Sequence, residues 1–100
     1  MKYAIIQDID SGLEFPVFCL APRTHEEMAT AWRPDPQKRR VVSAGFCYFT
    51  RHQVTTYGHS QSLNLGPRQD DARIIAAYYR ATLLSNNPDN HLGSSNTVPL

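Results

Sequence analysis

The sequence predicts an α+β fold: an antiparallel four-stranded sheet built from two hairpins, with helices packed on it in the order ββαββα. Three observations predict it. Short runs rich in β-branched and aromatic residues come in pairs, the connection inside each pair is too short for a parallel crossover, and a stretch of helical character follows each pair.

The first pair opens the chain. Tyr3 to Ile6 forms one strand, Asp10-Ser11-Gly12 is favourable turn chemistry, and Leu13 to Leu20 forms the return. Pro16 has no N–H for a ladder, so the return strand belongs at an edge or carries a bulge there. Asp8 and Asp10, flanking Ile9, fit a surface turn better than a catalytic carboxylate pair. Thr24-His25-Glu26-Glu27 then matches a capping box, in which Thr24 accepts the N–H of Glu27 while Glu27 reaches back. The helix it starts is expected to run to about Trp32, with Met28, Ala29 and Trp32 inward and Pro22 and Pro34 as its punctuation.

Arg33 to Arg40 (RPDPQKRR) reads as a proline-broken basic loop and the main linker. The second pair of strands is Val41–Phe49 and Gln53–Tyr57. Alternation along the first places Ser43, Gly45 and Cys47 on one face and Val42, Ala44, Phe46 and Tyr48 on the other. The small face admits a helix closely. The large one needs a second cover or stays as a partly exposed aromatic patch. Gly66 as cap and Pro67 at the first helical position then predict a helix over 66–84, with Asp70 and Asp71 at the positive end of its dipole and Arg80 near the negative end. Its apolar stripe is Ile74, Ile75, Tyr78 and Leu83, with Ala72 and Ala81.

The domain is expected to span residues 1–84, with 85–100 (SNNPDNHLGSSNTVPL) a polar, irregular tail. A net charge of +1 makes the whole chain no polyelectrolyte for nucleic acid. No apolar run approaches the ~18 residues of a membrane span, and the start lacks the layout of a signal peptide, so the expected location is the cytoplasm, with no membrane partner. Cys19 and Cys47, each within an apolar run, are expected to be buried free thiols.

No combination of side chains announces catalysis. The four histidines, His25, His52, His59 and His91, have no i,i+4 pair among them, and zinc wants three or four convergent ligands. His59 and Ser60 are adjacent, but consecutive strand residues face opposite ways and nothing supplies an orienting acid or an oxyanion hole. Neither GxGxxG nor GxxxxGK[ST] occurs. The expectation is a protein with no turnover, no cofactor and no metal.

What remains is binding. Arg33, Lys38, Arg39 and Arg40 of the basic loop, with Tyr48 and Tyr57 on neighbouring strands, are the candidate binding residues: charged and aromatic anchors of the kinds that dominate protein interfaces. The same set suggests a second reading, phosphate contacts from the loop and base stacking on the sheet, opposed by the near-neutral charge. Self-association through an unpaired edge strand is a further expectation.

The pieces VVSAGFCYF and YGHSQSLNLGPRQDDARII resemble a pattern of small bacteriophage and prophage proteins. In that pattern an AGF strand (Ala44, Gly45, Phe46) precedes a G-x-S-x-SL-x-L strand end (Gly58, Ser60, Ser62, Leu63, Leu65) and a helix start with a DA pair (Asp71, Ala72). MKYAI and the His25 helix fit as well, while the basic loop and the tail depart from the pattern. The resemblance implies a phage accessory protein in the host cytoplasm. It would act by binding a host or phage protein, for instance by inhibiting or modulating a host enzyme or a defence system. The resemblance carries no catalytic activity across.

Overall fold

The computed structural model describes residues 1–19, 23–32, 35–82 and 97–100. The elements run β1 (Lys2–Asp8), β2 (Glu14–Cys19), α1 (His25–Trp32), β3 (Arg39–Phe49), β4 (Gln53–Tyr57), α2 (Asp71–Thr82) and β5 (Thr97–Pro99). All strands belong to one antiparallel sheet in the order β2-β1-β3-β4-β5. The α+β class and the two hairpins are as expected. The strand count is corrected from four to five. The added strand ends the tail that was expected to be irregular: Val98 pairs with Val54 and is buried with it, and the Leu100 N–H donates to the His52 carbonyl at 2.7 Å. One buried valine between a threonine and a proline is too short a pattern to announce a strand.

The hairpins join through β1 and β3, with Tyr3 opposite Gly45 and Ala4 opposite Ala44. A bulge follows. Ile5 faces Ser43 and Ile6 faces Val41, so Val42 is the extra residue. The bulge corrects one face assignment: Val42 packs with Tyr3, Ile5 and Cys47 rather than with Ala44. Otherwise the alternation holds. The small residues of β3 admit α2, whose Ala72, Ile75 and Ala76 pack with Cys47, Tyr3, Ile5 and Val54. On the opposite face, Met28 of α1 packs with Ala4, Ile6, Val17 and Ala44. Cys47 is buried and Cys19 half-buried, on opposite faces, so the expectation of two buried thiols holds only for Cys47.

Both helices begin as local chemistry dictates, but α2 begins later than expected. In α1, the Glu27 N–H donates to Thr24 Oγ1 at 3.0 Å and the Thr24 N–H to Glu27 Oε1 at 2.9 Å, the capping box in full. α2 starts at Asp71 instead of Gly66. The Gly66 carbonyl accepts the Ala44 N–H at 3.4 Å, and the Pro67 ring lies so close to Gly45 that a Cβ there would stand 2.8 Å from Pro67 Cγ. That contact holds residues 66 and 67 against β3 and outside the helix. The helix start is set by Asp71, whose Oδ2 accepts the Arg68 N–H at 3.0 Å.

Three inward assignments are also corrected. Trp32, the last residue of α1, is 49% exposed and meets Phe15 edge-on at 6.3 Å. Tyr78 and Ala81 are exposed, since the buried side of α2 runs through Ala72, Ile75 and Ala76. Leu83 and Leu84, the proline punctuation at 22 and 34, and residues 85–96 lie outside the described residues.

Candidate functional site

The candidate binding residues do not converge. Arg33 lies outside the described residues. Lys38 is exposed in the turn ahead of β3, but Arg39 and Arg40 are not loop residues; they begin β3, opposite Asp8 and Gln7. Both are engaged. Arg39 Nη1 donates to the Trp32 carbonyl at 3.0 Å with its guanidinium 5.2 Å from the Phe15 ring centre, and Arg40 Nε donates to Gln7 Oε1 at 2.6 Å. Tyr48 stands nine residues further along the same strand, roughly 30 Å away at the rise of an extended chain. The basic residues and the aromatics are therefore separate surfaces.

The aromatics do come together. Tyr57 stacks on its cross-strand partner Phe46, with ring centres 5.7 Å apart and planes 27° from parallel, and Tyr48 leans against Tyr57 at 5.8 Å. Tyr48 is 51% exposed and Tyr57 47%. They occupy the α1 face of the sheet, where α1 packs over β1 and β2 and, with Leu63 and Leu65, covers Ala44 of β3, while Tyr48 and Tyr57 stay exposed. Gly58, at φ +78°, turns the chain directly after Tyr57, and any Cβ on it would strike Phe46 Cδ1 at 2.7 Å.

Beside this platform lies a cleft of about 450 Å³ lined by Lys2, Thr24, His25, Phe46, His59, Gln61 and Ser62. His25 is 3% exposed and meets Phe46 edge-on at 5.2 Å. Its Nε2 lies 2.6 Å from the Gly45 carbonyl. A carbonyl only accepts, so Nε2 carries the proton. Ser62 Oγ accepts the Glu26 N–H at 3.1 Å, tying the loop after β4 to the start of α1. Lys2 Nζ donates to the Arg23 carbonyl at 2.7 Å. In the sequence His25 is marked only as a first-turn residue of a helix. Its partner lies 20 residues away, and no local signal marks it.

On the α2 face a buried polar network locks the helix start to the sheet. Asp71, fully buried, accepts the Tyr3 hydroxyl on Oδ2 at 2.7 Å and the Ser43 hydroxyl on Oδ1 at 2.8 Å. Arg68 Nε donates to Asp71 Oδ1 at 3.1 Å while Nη2 reaches Glu14 Oε1 at 2.7 Å. Hydrogen bonding to Glu14 first, then the charge of Asp71, holds the Arg68 guanidinium protonated still more firmly than usual. Burial, then the bond to Asp71, pushes the Tyr3 phenol far up, so it serves only as a donor. Every oxygen of the buried carboxylate is satisfied within the protein, as a structural carboxylate requires.

The residues that carry the phage-protein pattern thus have structural positions. Gly45 and Gly58 permit close contacts, Leu63 and Leu65 pack against the α1-side core, and Ser60, paired with Leu65, accepts the Leu63 N–H. A second cavity of about 430 Å³, wholly apolar, is lined by Met1, Phe18, Phe49, Tyr78 and Tyr79. It was not legible in the sequence because the helical period places Tyr78 in the core. Among the described residues, no three His, Cys, Asp or Glu side chains stand where they could share a metal ion, and no helix is long and apolar enough to cross a membrane. No protein-family model, no curated protein and no solved structure matches this chain.

Proposed function

We propose that this protein works by binding a protein partner through the exposed aromatic patch of β3 and β4, centred on Tyr48 and Tyr57 with half-buried Phe46 beneath them, with no turnover of its own. The observation that supports this reading is the exposed, mutually stacked aromatic cluster on β3 and β4. Tyrosine and phenylalanine are enriched at the centre of protein interfaces. A phage accessory protein acting on a host or phage protein in the host cytoplasm, as the AGF and SL-x-L residues imply, has use for such a surface. Nucleic-acid binding is the second reading. It rests on the same stacked rings, and the engagement of Arg39 and Arg40 at the far end of β3 weighs against it.

The test is affinity purification from host lysate with wild-type protein and with a Tyr48→Ala/Tyr57→Ala variant, each with and without nuclease. A nuclease-resistant partner held by the wild type and lost by the variant is the expected result. Retention of nucleic acid alone, weakening steeply with salt and lost on substitution of Lys38, Arg39 and Arg40, would overturn it. Sedimentation of the free protein reads self-association through an edge strand. Pro16 in β2 and the short β5 leave little edge for it.

A further inference from the structure

The Tyr48–Tyr57 platform fits some ways of holding a partner's segment and not others. From Phe46 onward, the α1 side of β3 and β4 presents Phe46, Tyr48, Gln53, Thr55 and Tyr57, with Thr97 of β5 alongside. These are rings, hydroxyls and one amide, without a charge, so the strip suits an uncharged segment and opposes a charged one through desolvation. Strand addition has little edge to use: β5 covers β4 along Gln53–Thr55 and has only three residues, and β2 carries Pro16. A phosphorylated or acidic motif needs clustered arginines, which the strip lacks. An amphipathic helix needs an apolar groove, whereas here two half-exposed rings, 5.8 Å apart and inclined at 56°, stand among hydroxyls. Polyproline II recognition needs exposed aromatic rings side by side with neutral donors for peptide carbonyls, and the strip has both. The spacing agrees. Two residues of strand put Tyr48 about 7 Å from Phe46, the cleft opens beside Phe46, and one turn of polyproline II advances about 9 Å.

We propose that this strip binds a proline-rich segment of the protein partner in the polyproline II conformation, an inference that rests on the partner-binding reading. One proline ring lies against Tyr48 and Tyr57, and a proline one turn along lies against Phe46 at the mouth of the cleft. The tyrosine hydroxyls and the Gln53 amide donate to backbone carbonyls, which polyproline II leaves without internal partners. Proline has no N–H, so the segment asks for few acceptors from a strip that has no carboxylate. It is also extended before it binds, so little ordering entropy opposes its contact with rings already packed on one another.

The test is a nuclear magnetic resonance titration of the full chain with decaproline, with a glycine–serine decapeptide and with decathymidylate. Decaproline is expected to shift the Phe46, Tyr48 and Tyr57 ring signals and the Thr55 amide saturably, and the glycine–serine peptide to leave them in place. Tyr48→Ala, at a half-exposed position, should weaken decaproline about tenfold while preserving the rest of the spectrum. Tyr79→Ala, in the aromatic cluster on the opposite side of the sheet, should bind as the wild type does. An absence of saturable shifts with decaproline, an equal response to the glycine–serine peptide, wild-type affinity in Tyr48→Ala, or shifts with decathymidylate alone would overturn the proposal. Failure with decaproline, while a lysate protein is still captured through Tyr48 and Tyr57, overturns the proline class alone; capture of no protein through those tyrosines overturns the reading beneath it.

Discussion

The hydroxyl of Tyr3 donates to Asp71 Oδ2 at 2.7 Å across 68 residues of sequence, so the second residue of β1 holds the first residue of α2. With the Ser43 hydroxyl and Arg68 on the same carboxylate, one buried charge ties β1, β3 and α2 together, and Arg68 carries the tie on to Glu14 of β2. Removing Asp71 leaves the Tyr3 phenol and the Ser43 hydroxyl without this acceptor and Arg68 without one of its two carboxylates. Asp71→Ala is expected to cost about 3–5 kcal/mol, and Tyr3→Phe, which removes one donor and leaves the ring in place, about 1–2 kcal/mol. Urea unfolding of the two variants checks this; equal small losses would show that the network is not what fixes α2.

Ile75 is fully buried between α2 and the sheet, whereas Arg73, one turn's opposite side, is exposed and pairs with exposed Asp70 at 3.2 Å. Ile75→Ala should destabilise by about 2–4 kcal/mol and Arg73→Ala by less than about 0.5 kcal/mol. Comparable denaturation midpoints would place the helix on the wrong face.

Burial pushes the Cys47 thiol up from its ordinary 9.0 to about 11. Between those values the unfolded chain has released a proton that the folded chain still holds, so stability falls as the pH rises. The contribution is complete below about pH 9 and lost by about pH 11, an effect of roughly 2 kcal/mol. Cys47→Ala should flatten that part of the stability curve. In the native protein a thiol reagent at pH 8 should modify half-buried Cys19 and spare Cys47.

Gly45 carries the contact that delays α2. A methyl group there meets Pro67 Cγ at 2.8 Å and the Tyr57 carbonyl oxygen at 2.9 Å, and backbone cannot swing aside as a side-chain tip can. Gly45→Ala should cost about 1–3 kcal/mol. Chemical denaturation measures the loss, and amide shifts should report it at residues 57 and 66–68, the positions that must move.

The capping box gives a local counterpart. Hydrogen bonds from the Thr24 backbone and hydroxyl hold the Glu27 carboxyl below the usual range, so its contribution is present above the ordinary carboxylate pKa and is lost as the pH falls through the lowered one. Thr24→Ala should remove about 1 kcal/mol at neutral pH, read by thermal or urea unfolding.

The sequence by itself determined what neighbouring residues decide. The turn at Asp10–Gly12, the box at Thr24–Glu27, the alternation of β3 and the small face that receives Ala72 and Ala76 are all set within a few residues. Tyr48 and Tyr57 were legible as a pair because two strands of a hairpin share one register. Tertiary structure alone decided the rest. Arg39 and Arg40 left the basic loop to pair with β1, Val42 changed face at a bulge, and Val98 found Val54 across the sheet. His25 and Asp71, which a sequence window shows as ordinary first-turn residues, acquired partners 20 and 68 residues away. Hydrogen bonds and burial act through space, so composition and period name the surfaces that must be hidden, and only the closed chain chooses which distant group hides them.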